Sequence, residues 1–245
     1  MLSFLKNHPF AVEAFFKYSM VLTFAFPKEE LQHLIPECLT LDTLNDKWAF
    51  IAVALVQTKD LRPKGFPNFA GHDFLLIGYR IFVKYTNNAG KKFRGLYILK
   101  SETDKKIMEI FGNLFTHYNY TTTDIGEIRQ GTQMSITSNQ SSLNIQVETG
   151  HDIILPTGSP FSDWKEARKF AGPLPFTFTY NPQKQEVLIV EGRRENWTPK
   201  AIQVIDYHIP FLESIGLANG SLANAFMITD IPYHWKKGKI EQWTK

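Results

Sequence analysis

Large apolar side chains recur at every second position from residue 18 to residue 26, so that Tyr18, Met20, Leu22, Phe24 and Phe26 share one face. That is the period of a strand with one face in a core. Pro27 then opens a short helix with Leu31, Leu34 and Ile35 on one side, and Pro36 stops it. Residues 48–56 are apolar with hardly a break and predict a buried strand. Residues 61–71 carry Pro63, Gly65, Pro67 and Gly71, and a loop of that length is expected to form a rim or lid over whatever the sheet encloses.

Three hairpins are predicted next. Residues 75–85 and 93–99 flank the turn Asn87-Asn88-Ala89-Gly90; residues 134–137 and 143–147 flank a Ser-Asn-Gln-Ser-Ser turn; residues 176–180 and 187–190 flank Asn181-Pro182. After the first hairpin a helical period begins near Thr103. It has Asp104 near its start, where the helix dipole favours an acid, Ile107, Ile110 and Phe111 on one face, and Gly112 as its expected end. A second helix is predicted from about Asp163, with Lys165, Arg168 and Lys169 on its exposed face, and late strands near residues 202–207 and 223–228. Many strands and few helices give an α+β, β-rich class: an antiparallel sheet curled into a barrel or cone with a few short helices.

Composition narrows the picture. The 245 residues are 43% hydrophobic, the 20 Phe recur along the whole length, and no Pro/Gly/Ser linker interrupts them, so a single domain over residues 1–245 is expected. The 27 basic and 24 acidic residues are interspersed, with a basic run only at Lys236, Lys237 and Lys239, which argues against nucleic acid as a partner. The single cysteine, Cys38, excludes an internal disulfide and metal sites built on paired thiolates, and points to a cytoplasmic setting. No run of about 18 apolar residues occurs and the start MLSFLKNHPF does not read as a signal peptide, so no membrane partner is expected.

The common signatures for nucleotides, serine hydrolases and zinc proteases are missing: there is no Gly-x-Gly-x-x-Gly, Walker loop, Gly-x-Ser-x-Gly or His-Glu-x-x-His. Seven histidines are scattered, and the pairs His72-Asp73 and His151-Asp152 are adjacent rather than at a ligand spacing. Neither a metal nor a cofactor is expected, and both pairs read as polar loop residues, one imidazole lining the rim.

The phrase Phe170-Ala171-Gly172-Pro173-Leu174-Pro175-Phe176, with Glu191-Gly192-Arg193 and Ile231-Pro232-Tyr233, resembles the YqjF-like family of unknown function within the acetoacetate decarboxylase-like superfamily. The resemblance extends to residues 31–36, to Tyr79-Arg80-Ile81-Phe82-Val83 and to Arg94-Gly95-Leu96-Tyr97, and so covers nearly the whole chain. It implies a cone-like antiparallel barrel with a pocket at its wide end, and assembly into a homo-oligomer is common in that superfamily. The decarboxylase works through a lysine Schiff base, which needs an amine whose pKa is lowered by a neighbouring cation and by desolvation. The stretch that matches the lysine turn reads Phe111-Gly112-Asn113-Leu114-Phe115-Thr116 and holds no lysine, and the decarboxylase's acid falls near Leu75 or Leu76. Covalent decarboxylation is therefore disfavoured, while the scaffold is expected to persist.

Arg80 interrupts an apolar strand, where an unpaired guanidinium is costly, so it needs an anion. By alternation it shares a face with Leu76, Gly78, Phe82 and Lys84, and Gly78 leaves room beside it. It is the leading candidate to anchor a ligand. The alternatives are a structural pair with Glu148 or Glu191, or an outward orientation. Tyr79, Phe82, Tyr97 and Trp197 suit an apolar ligand with one polar end, although core packing explains them equally well. One of Glu191, Arg193 and Arg194 is expected to turn inward and meet Arg80; Arg193 is taken as the ligand contact. Lys100, His117 and Glu191 are the candidates for proton transfer. Three function classes follow: a binding protein for a carboxylate or enolate-type small molecule, a lyase- or decarboxylase-like enzyme without a covalent intermediate, and an interaction protein with a vestigial pocket.

Overall fold

A computed structural model describes residues 4–150, 155–195 and 197–244; the His151-Asp152 pair lies outside the described residues. In chain order the elements are β1 (Val12–Pro27), α1 (Lys28–Gln32), β2 (Leu39–Leu41), β3 (Trp48–Pro63), β4 (His72–Thr86), β5 (Lys92–Thr103), α2 (Lys106–Phe115), β6 (Tyr120–Thr122), β7 (Gly126–Gln130), β8 (Gln133–Ser138) and β9 (Leu143–Glu148). There follow α3 (Trp164–Ala171), β10 (Phe176–Asn181), β11 (Glu186–Arg194), β12 (Lys200–Ala201), β13 (Gln203–His208), α4 (Pro210–Ser214), β14 (Ser221–Trp235) and β15 (Lys239–Gln242).

The strands make an 11-stranded sheet and a separate four-stranded sheet, β13-β9-β8-β7. In the larger sheet β14-β1-β3-β4-β5-β10-β11 are hydrogen-bonded in that order, and β11 pairs back onto β14, so the strands form a closed ring. All three predicted hairpins are present as β4–β5, β8–β9 and β10–β11. The sheet is not wholly antiparallel, however. β10 and β6 each join β5 in parallel, because the long excursions after β5 bring the chain back to its edge in the same direction.

Alternation along the ring strands divides the interior in two. One face carries Tyr18, Met20, Leu22, Val53, Leu55, Tyr79 and Ile81, which pack with Ile136, Ile145 and Val147 of the four-stranded sheet. The other face carries Phe16, Phe50, Ala52, Phe82, Phe226 and Ile231, closed at one end by Phe161, Ala167 and Ala171 from α3 and its approach. β3 is buried on both faces, which is why residues 48–56 are apolar without alternation. At α3 the Asp163 carboxylate accepts from the Glu166 backbone N–H at 2.7 Å, capping the helix at the predicted point.

Two local expectations are corrected. β3 runs on to Pro63, so the loop before β4 is shorter than residues 61–71. Helix α2 passes through Gly112 and ends at Phe115, and its apolar face is not core: Ile107, Ile110 and Phe111 are exposed, whereas Met108 and Gly112 are buried. Gly112 serves close approach instead of termination, since a Cβ there would lie 2.3 Å from the Tyr120 ring.

Candidate functional site

The face of the ring opposite the four-stranded sheet encloses a cavity of about 530 Å³. Every ring strand contributes to its wall, through side chains such as Val21, Ala54, Arg80, Ile98, Thr177, Arg194 and Tyr233. Leu61 and Arg62 at the end of β3, Ala70 in the shortened loop and His72 at the start of β4 line it, as do Phe111, Gly112 and Phe115 of α2 and Thr116 just after it. Most of the surface is apolar. Among the described residues no Asp, Glu or Lys lines this cavity, but three arginines do.

Those arginines differ in what they touch. Arg62 is satisfied: it pairs with Glu13 at 2.9 Å and donates to the carbonyls of Phe66 and Asp60, both at 2.9 Å. Arg80 has no ion pair or hydrogen bond among the described residues, and its buried Nε has no acceptor. The guanidinium folds over Gly78, where a Cβ would stand 2.8 Å from Nε and 2.9 Å from a terminal nitrogen. Burial lowers its pKa, while the hydroxyls of Tyr233, Tyr120 and Tyr118 favour the charged form. Even lowered, an arginine keeps its proton. Arg194 likewise has no carboxylate partner among the described residues; it sits over the rings of Trp197, at 4.4 Å, and Tyr233, at 5.5 Å.

Further polar atoms around the two cations lack partners. Among the described residues the buried Trp197 Nε1 has no acceptor and the buried Tyr118 hydroxyl makes no hydrogen bond of normal geometry, although Thr177 stands beside it. Tyr120 is pushed up to about 12 by burial, against which the Arg80 charge acts. The site is thus rich in donors and cations, without a carboxylate among its described lining residues, and surrounded by hydrocarbon.

Arg80 and Phe82 line this cavity, together with Leu76, on the face that alternation assigned to them. Trp197 lines it too, and of Glu191, Arg193 and Arg194 it is Arg194 that turns inward, whereas Tyr79, Lys100, Tyr97, Arg193, Glu191 and His117 stand elsewhere. Tyr79 packs on the opposite face, where its ring meets Phe211 at 4.3 Å and its hydroxyl donates to Glu102 at 2.9 Å. Lys100 is on that face as well, because it pairs across the ladder with Tyr79, and its ammonium meets the buried Glu102 at 2.6 Å. Tyr97 alternates with the cavity-lining Leu96 and Ile98 and packs against the core shared with the four-stranded sheet. Arg193 and Glu191 are two apart on the outer face of β11 and pair at 2.7 Å, Glu191 also accepting from Lys236 at 2.7 Å. His117 lies just beyond the cavity wall with Nε2 3.3 Å from the Asn7 side-chain oxygen, its pKa lowered by burial and by the charge of Lys6.

Sequence reasoning therefore missed Tyr118 and Tyr120 and preferred Arg193 to Arg194. A signal for each existed. Tyr118-Asn119-Tyr120 leaves α2 with a two-residue alternation, and Glu191 with Arg193 are opposite charges sharing a face, which frees Arg194 for the other one.

The ring sheet with its enclosed site defines an acetoacetate decarboxylase-like fold. The acetoacetate decarboxylase of Legionella pneumophila superposes with a TM-score of 0.62 at 10% identity, covering 95% of this chain and 88% of that one. An acetoacetate decarboxylase-like enzyme from Sphingomonas wittichii RW1 gives 0.60 at 13% identity, covering 98% and 96%. The enduracididine biosynthesis enzyme MppR complexed with pyruvate gives 0.58 at 7% identity, covering 95% and 90%. No curated protein matches the sequence significantly. A family model matches residues 16–230, and the chain belongs to that family, DUF2071, described as an uncharacterized conserved protein (COG2071).

Proposed function

We propose that this protein binds an anionic small molecule with an apolar body, a carboxylate or enolate, without covalent attachment, and that Arg80 is its anchor. The observation that carries the reading is a half-buried arginine, its Nε fully buried, that has no partner among the described residues and faces a cavity that no described acid lines. An uncompensated buried charge costs several kcal/mol, and a bound anion offsets that cost. The fold in MppR has been solved with pyruvate, itself a carboxylate, which is in keeping with this reading. A vestigial pocket fits less well, because about 530 Å³ is left unfilled by the protein's own Phe and Leu side chains.

The test is titration calorimetry with a series of alkyl carboxylates on the wild type and on Arg80→Met. The substitution is expected to remove binding altogether, while denaturant unfolding shows stability unchanged or raised, because no ion pair is broken. A structural arginine would behave the other way, with a loss of roughly 3–5 kcal/mol. Equal affinity in both proteins would overturn the assignment of Arg80.

Absence of a lysine from the described wall supports chemistry that forms no Schiff base. Borohydride added with acetoacetate is expected to leave the protein's mass unchanged; a reduced adduct on any lysine sinks this part of the reading.

A further inference from the structure

The wall carries more positive charge than one carboxylate neutralises. Arg62 is already paired with Glu13, which leaves Arg80 and Arg194 as two guanidiniums without a carboxylate partner among the described residues. Tyr233 links them. Its ring packs against Arg194 at 5.5 Å, and it lines the same cavity as Arg80.

The mounting of Arg194 is also informative. A flexible cation that served only solubility would extend into water, but this one holds its guanidinium carbon 4.4 Å from the Trp197 ring and 5.5 Å from the Tyr233 ring, and contact with two rings restrains its hydrogen-bonding fork. Trp197, which supplies one of those rings, also presents the unpartnered Nε1. A restrained fork and an orphan N–H beside it are donors waiting for acceptor oxygens. A monoanion on Arg80 leaves Arg194 uncompensated, whereas a head with two charges neutralises both and reduces their mutual repulsion.

We propose that Arg80 and Arg194, assisted by the Trp197 N–H, together bind a head group carrying two negative charges, such as a dicarboxylate or a phosphate monoester, with the apolar remainder of the ligand in the rest of the cavity. This rests on the reading of the cavity as an anion site and narrows its ligand class. No bond is made or broken.

The experiment is titration calorimetry at pH 8 with octanoate, hexylmalonate and octyl phosphate, three ligands with similar tails and one or two charges. In the wild type at least one dianion is expected to bind about tenfold or more tightly than octanoate. Hexylmalonate against octyl phosphate tells the dicarboxylate source from the phosphate one. Arg194→Met is expected to bring the favoured dianion down to the octanoate level and to leave octanoate within about threefold of wild type. Arg80→Met is expected to weaken all three. The wild-type comparison needs no variant, so it decides even if Arg194→Met does not fold. If octanoate binds through Arg80 and neither dianion gains, the two-charge head is wrong and the simpler anion site stands; if none of the three binds, both readings fall.

Discussion

Gly78 and Arg80 sit two apart on one face of β4, and the guanidinium occupies the space that a side chain at Gly78 would take. A methyl group there meets the far end of a flexible side chain rather than backbone, so the arginine swings aside at small cost. Gly78→Ala is therefore expected to change stability by no more than about 1 kcal/mol, yet to weaken anion binding about tenfold or more. Calorimetry beside denaturant unfolding separates the two effects, and a large stability loss with intact binding would contradict it. Arg80 was legible in the sequence because a cation in an apolar, alternating strand has only two faces to choose from. Tyr79 and Lys100 were not read correctly, for a related reason. Their two-residue spacings to Ile81 and Glu102 fix which face they share, but which face holds the cavity depends on the sheet that covers the other one.

The same limit appears in α2. Its periodicity marks an apolar stripe, but a stripe does not state whether anything covers it, and Ile107, Ile110 and Phe111 remain exposed, Phe111 also lining the cavity. Gly112 looked like a helix end because glycine commonly is one; here the Tyr120 ring, which lines the cavity near Arg80, needs the missing Cβ. Gly112→Ala sets two effects against each other. Helix propensity favours alanine by about 1 kcal/mol, and overpacking against a buried ring costs roughly 1–3 kcal/mol. With contacts as close as 2.3 Å the clash wins, so a lowered unfolding midpoint and a disturbed Tyr120 environment in the near-ultraviolet spectrum are expected. An unchanged or raised midpoint would show that the ring yields freely.

At the scale of the molecule, the hairpins and the β-rich class were readable from turn residues and alternation. The ring's parallel joins were not, because they depend on where long excursions return. One such excursion is pinned by Asp124, whose carboxylate accepts from the Ser138 hydroxyl at 2.7 Å and the Gln140 N–H at 2.9 Å, holding its pKa at about 2 against the ordinary 3.8. A folded-state pKa below the unfolded one means that this contribution is complete above the unfolded value and is lost as pH falls toward the folded one. The thermal midpoint of the wild type is thus expected to fall more steeply than that of Asp124→Asn between about pH 5 and about pH 2. Parallel curves would show that the carboxylate does not hold the β8–β9 turn.

The closure between β11 and β14 is brief: Gly192, Arg193 and Arg194 face Trp235, His234 and Tyr233, while β1 and β14 run together from Val12 to Ala25. A zipper of so few teeth parts without unravelling its neighbours. Arg194 and Tyr233 belong at once to that zipper and to the cavity wall. The vessel therefore has a short seam in its side as well as a rim, and a guest gripped by Arg194 would act as the clasp. Backbone amides along the seam should exchange with deuterated water quickly when the vessel is empty and slowly when it is filled, so that its occupancy can be read from outside.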